Sequence, residues 1–91
     1  MSGYYRISID PNVRVSGNIT FSGFEDMRDP DGHPTGLWPV TGQYLVAFEE
    51  EAGLQGPAKV VHVEHDKRLV YLKVPWAKFG RDTLVDFSVF D

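Results

Sequence analysis

Residues 60–72 run Val60-Val61-His62-Val63-Glu64-His65-Asp66-Lys67-Arg68-Leu69-Val70-Tyr71-Leu72, two β-branched stretches separated by a polar turn. That pattern reads as a β-hairpin. With the turn centred on Asp66-Lys67, Val63 faces Val70 and Val61 faces Leu72, and these four form a core face. The opposite face carries Val60, His62, Leu69, Tyr71 and Lys73. A solvated antiparallel sheet turns a polar side outward, and this second side is aliphatic and aromatic instead. A chain containing such a ribbon is constrained to a small β-domain whose second side is covered by its own remaining segments or by another molecule.

The rest of the chain offers further strands. Tyr5, Ile7 and Ile9 alternate with Arg6 and Ser8, and Val13, Val15, Ile19 and Phe21 continue the period of two. Between them lies Asp10-Pro11-Asn12, turn chemistry that predicts a hairpin pairing Ile9 with Val13 and Ile7 with Val15. Residues 22–41 hold three prolines, several glycines and the acids Glu25, Asp26, Asp29 and Asp31. A connection this long is unusual and often functional. Asp29-Pro30-Asp31-Gly32 is a turn by composition and suggests a small extra hairpin.

Gln43 to Glu50 reads as a strand with Tyr44, Val46 and Phe48 on one face. Glu49-Glu50-Glu51-Ala52-Gly53 ends it, and Gly56-Pro57 marks another loop. Pro75 to Gly80 suits a single helical turn, since proline is tolerated in a first turn. Thr83 to Phe90 reads as a closing strand with Val85, Phe87 and Val89 on one side.

About six short strands with no amphipathic helix predict an all-β fold, a small antiparallel barrel or sandwich in one domain spanning 1–91. Barrel closure would remove the exposed edges that invite aggregation. In the order of its elements, the stretch 40–90 resembles a small SH3-like barrel: strand, loop, hairpin, one-turn helix, last strand. No peptide-binding aromatic motif accompanies that spacing, and fold likeness alone implies no function.

Composition narrows the class. With 42 % hydrophobic and 24 % charged residues the chain is that of a folded globular protein. It has no cysteine, which excludes disulfides and thiolate zinc sites. The first residues lack a signal-peptide pattern and no apolar run is long enough to span a bilayer, so the expectation is a cytoplasmic protein without a membrane partner. Net charge is −4, unevenly placed. Residues 1–54 carry three basic against eight acidic side chains (net −5), and residues 55–91 six against five (net +1). A general duplex binder would be strongly basic.

Motifs that carry chemistry are weak here. His62, Glu64, His65 and Asp66 are close in sequence, but on a strand only His62 and Glu64 share a face, and two ligands do not make a zinc site. Asp29, Asp31 and Gly32 resemble the middle of a calcium loop whose end positions fall on Met27 and Trp38, so the pattern fails. His-x-Glu at 62–64 lacks the cysteines of a zinc deaminase. No phosphate-cradling glycine loop or serine elbow is present. The expectation is no enzyme, no cofactor and no metal.

Binding is the remaining class. Trp38, His62, Leu69, Tyr71, Trp76 and Phe79 are the candidate anchors for a protein partner, with Glu25, Asp26, Asp29 and Asp31 supplying steering charge. Self-association is a further option. Lys59, Lys67, Arg68, Lys73, Lys78 and Arg81 interleave with Tyr71, Trp76 and Phe79, which offers single-stranded nucleic acid as an alternative ligand, disfavoured by the acidity of the chain. Small proteins of this description include accessory modules that bacteria and phages direct at host proteins.

Overall fold

The structure, a computed structural model, describes residues 3–81 and 84–90. Seven strands are found among them: β1 (Arg6–Ser8), β2 (Ile19–Gly23), β3 (Met27–Arg28), β4 (Tyr44–Glu49), β5 (Leu54–Glu64), β6 (Leu69–Lys73) and β7 (Gly80–Arg81). Short 3-10 turns occupy Phe24–Asp26, Trp76–Lys78 and Phe87–Phe90. The strands form one curled sheet in the order β2-β6-β5-β4-β1-β3, with β7 on the free edge of β5. The fold is all-β and barrel-like, as expected. None of the described helical turns is long and apolar enough to cross a membrane.

The concave side holds the core. Ile7, Met27, Leu45, Ala47, Ala58, Val60, Val70, Leu72 and Val74 are fully or almost fully buried there. Trp76 and Phe79 are half-buried against this cluster. Leu45 and Ala47 point to the core, while Val46 and Phe48 are buried on the other side of β4. The expected face of β4 is thus its outer one, and Phe48 is capped there by the Arg6 guanidinium 5.1 Å from the ring centre.

Four expectations are corrected. The 60–72 hairpin forms, with Val63 opposite Val70 and His62 opposite Tyr71, but a bulge intervenes and Leu72 pairs with Val60. Val61 is the extra residue, 39 % exposed, and Val60 takes its expected place in the core.

The N-terminal hairpin does not form. Its turn is present, since Asn12 N–H donates to Asp10 Oδ1 (2.9 Å) and Val13 N–H to Asp10 O (2.9 Å). Yet β1 pairs in parallel with β4, Ile7 opposite Ala47, and antiparallel with β3, Ile7 opposite Met27. Both edges of β1 are therefore taken, and Val15 bonds instead to Ile19 across a tight turn at Gly17, whose φ is +41°.

The predicted strand 83–90 is replaced. Thr83 lies outside the described residues, Leu84 is 88 % exposed, and Phe87–Phe90 coils into a 3-10 turn. Three residues per turn bring Phe87 and Phe90 to one side, and both stack on Tyr44, at 5.3 and 5.7 Å between ring centres.

Gly56 and Pro57 mark no loop: both lie buried inside β5. Val60 N–H donates to Gln43 O on the β4 side (2.9 Å). By alternation, the nitrogen of Pro57 faces the other edge, between the residues that pair with β7 and those that pair with β6. There it interrupts no ladder.

The edge strand β2 meets β1 and the residues that follow it along a seam closed by side chains. Thr20 Oγ1 donates to Val13 O, and Ser22 Oγ donates to Ser8 O at 2.8 Å. Both hydroxyls are buried and satisfied.

Candidate binding face

Strand pairing sets Phe21, Tyr71 and His62 side by side in one row, because Phe21 is opposite Tyr71 on β6 and Tyr71 opposite His62 on β5. Their neighbours Thr20, Val60, Val70 and Leu72 point inward and are buried, so the row belongs to the convex side. Ring centres are 5.9 Å apart for Phe21 and Tyr71 and 5.6 Å for Tyr71 and His62. Phe21 and His62 are exposed and Tyr71 is half-buried.

Two further rows flank it. On one side Ile19, Lys73 and Lys59 are aligned. On the other stand Gly23, Leu69 and Glu64. The Glu25 carboxylate lies over Gly23, in the space a Cβ would occupy. Glu64 Oε2 is 4.0 Å from His62 Nε2. The face therefore has an aromatic middle, a basic end and an acidic end.

The predicted anchors divide among three places. His62, Leu69 and Tyr71 share this face, and the structure adds Phe21 of β2. Trp76 and Phe79 are elsewhere, closing one end of the core, with their rings 5.5 Å apart and edge to face. Trp76 Nε1–H donates to Gly17 O at 3.1 Å, and the Arg14 guanidinium stacks 4.4 Å from its ring. Trp38 is 55 % exposed and packs at the hairpin tip against Phe24 (5.7 Å) and His65 (5.5 Å). Arg68, at φ +55°, holds its guanidinium over Phe24 and Trp38, 5.3 and 5.9 Å from the ring centres. His65, in the turn after β5, thus lies beside Phe24 and Trp38, apart from His62.

The acidic residues are also dispersed. Asp26 Oδ2 accepts the Gly23 N–H at 3.0 Å and Glu25 reaches the convex face over Gly23. Asp29 organises its own turn: Oδ1 accepts the N–H groups of Asp31 and His33, both at 2.9 Å, and Gly32 N–H donates to Asp29 O. A small hairpin results, with Arg28 bridged to Pro34. The His33 N–H bond, more than any other influence, holds the Asp29 carboxyl below the usual aspartate range. Asp29, Asp31 and His33 bring ligand-type atoms within 4.8 Å of one another, but the turn's own amides already account for that gathering.

Several open grooves are found among the described residues. Three of them adjoin at Ile9, lined by Ser8, Asp10, Asp26 and Glu49–Glu51 among others. A fourth runs along Trp38, Val40, Val63 and His65. Comparison of the chain with protein-family models, curated protein sequences and solved structures gives no match.

Proposed function

We propose that this protein is a non-catalytic β-module, arranged as a small SH3-like barrel, that works in the cytoplasm by protein–protein contact through the convex face of β2, β6 and β5. Its role on this reading is that of an accessory or regulatory domain. The observation that carries it is the row Phe21–Tyr71–His62, open to solvent on a sheet whose opposite side is already a complete core. Aromatic side chains on a rigid sheet supply contact area at little entropic cost, and such residues dominate interface energetics. The chain's own long loop supports the reading by going elsewhere, since Trp38 packs on Phe24 and His65.

The test is affinity capture with the intact protein, its Tyr71→Ser variant and a Leu37→Ser control in the exposed part of the long loop. A protein retained by the parent and control but lost by Tyr71→Ser supports the reading. Equal retention by all three overturns it.

A second reading draws on one specific observation. Lys59 and Lys73 lie opposite each other beside Tyr71, and lysines beside stacking rings suit a single-stranded nucleic acid. Glu64 and Glu25 at the far end of the same face weigh against it. Retardation of a labelled oligonucleotide at low salt, fading steeply as salt rises, would favour this alternative.

A further inference from the structure

We propose that the convex face is self-complementary and that its partner is a second copy of this chain. The inference rests on reading that face as a protein-contact surface. It follows from the order of the three rows: Ile19, Lys73 and Lys59 at one end, Phe21, Tyr71 and His62 in the middle, Gly23, Leu69 and Glu64 at the other.

Consider two copies face to face, related by a two-fold axis running along the aromatic row. The operation keeps each strand over its counterpart and exchanges the two ends. Tyr71 then meets Tyr71, and Phe21 meets Phe21, in an apolar centre. Lys59 comes opposite Glu64 of the other copy, because both lie on β5 on either side of His62. Lys73 comes opposite Leu69, both on β6, so its methylene stem covers an aliphatic side chain while its ammonium lies between Glu64 and Glu25. Ile19 meets the flat surface of Gly23, where no side chain intrudes except the Glu25 carboxylate. Every charge at the basic end finds an acid, twice over, as an isologous interface demands.

Charge placement excludes the competing arrangement. A two-fold axis running along β6 instead would keep each end over its own end and set Lys73 against Lys73, and Glu64 against Gly23 with its overlying Glu25 carboxylate, which is repulsive. Either two-fold closes on itself, so association stops at the dimer, and charge selects the axis along the aromatic row.

Size sets the strength. Three strands at sheet spacing and three rows two residues apart span about 10 by 14 Å between backbone positions. Even with side chains added, that is well below the ~800 Å² per partner of a standard interface, so the dimer belongs to the weak, concentration-dependent class.

Sedimentation equilibrium over a wide concentration range reads this directly. The parent should rise from the 10.3 kDa monomer towards twice that mass as concentration increases. Two charge-reversed proteins give the decisive arm. Glu25→Lys with Glu64→Lys makes the face wholly basic, and Lys59→Glu with Lys73→Glu makes it wholly acidic. Each alone should associate more than ~10-fold more weakly than the parent. An equimolar mixture should associate again, since every basic position then meets an acidic one.

A parent that stays monomeric at ~1 mM, where even a dimer with a dissociation constant of ~1 mM would be half formed, overturns the inference. So does charge reversal that leaves association unchanged. A monomeric parent that still captures another protein in a Tyr71-dependent way overturns the second copy and leaves the protein-contact reading standing. A monomeric parent whose face binds an oligonucleotide overturns both.

Discussion

Gly56 on β5 lies directly against the carbonyl oxygen of Lys78: a Cβ at this glycine would stand 2.7 Å from that oxygen and 2.9 Å from the Phe79 Cα. Both neighbours are backbone, so neither can swing aside. Gly56→Ala must push the Trp76–Lys78 turn off the strand and with it the half-buried rings of Trp76 and Phe79. We expect a loss of about 1–3 kcal/mol, the range of overpacking in a dense interior. Gly36→Ala, which meets nothing within 4 Å, should stay within about 0.5 kcal/mol of the parent. Urea denaturation of the two variants compares them.

The bulge in β5 makes a sharp distinction between two adjacent, chemically identical residues. Val60→Ala removes a fully buried side chain opposite Leu72 and should cost about 2–3 kcal/mol, two methyl groups plus the cavity they leave. Val61→Ala alters an unpaired, partly exposed position and should cost less than about 1 kcal/mol. Equal costs, or the reverse order, would place the register where simple alternation puts it.

Trp76→Phe keeps a ring beneath the Arg14 guanidinium and deletes the bond from Nε1–H to Gly17 O. Loss of one such bond at a half-exposed site is worth about 1 kcal/mol. The same variant leaves Trp38 as the sole indole. Its fluorescence should be strongly quenched by acrylamide, whereas the Trp38→Phe protein should show a shielded Trp76.

Asp29 titrates below its usual range because its carboxylate accepts amide bonds in the folded turn. A depressed folded value means that ionised Asp29 favours the fold at pH values above its unfolded pKa. That contribution fades as pH falls through the lower folded value, in the region from about pH 4 downward. Carboxylate-resolved NMR should find Asp29 among the last aspartates to protonate. Asp29→Asn should lose this pH dependence and raise the exchange rates of the Asp31 and His33 amides.

Local chemistry was legible in the sequence, and long-range pairing was not. The Asp10-Pro11-Asn12 and Asp29–Gly32 turns, the hairpin at 60–72 and the turn at 76–78 all follow from residue types acting on their immediate neighbours. Ile7 and Val15 looked like partners because alternation and turn agreed. What decided otherwise was the greater apolar ladder that β4 and Met27 offer to β1, which no local window contains. The doublet Val60-Val61 hides the bulge, since either residue fills an inward position equally well on paper. The convex face was half visible: His62, Leu69 and Tyr71 follow from hairpin parity. Phe21 required knowing that β2 pairs with β6, and Trp76 required knowing that Gly17 reaches it. Phe87 and Phe90 misled because a spacing of three was read through a period of two.

The seam formed by Thr20 and Ser22 has a mechanical consequence. Among the described residues neighbouring strands are joined by backbone pairing, while along this line two hydroxyl groups bond across. Unfastening them breaks no strand pair, so a parting of the wall there is a low-cost excursion from the native state, and residues 10–18 swing outward as a flap once Trp76 also releases Gly17 and Arg14. Proteases given the folded protein should cut first in that flap.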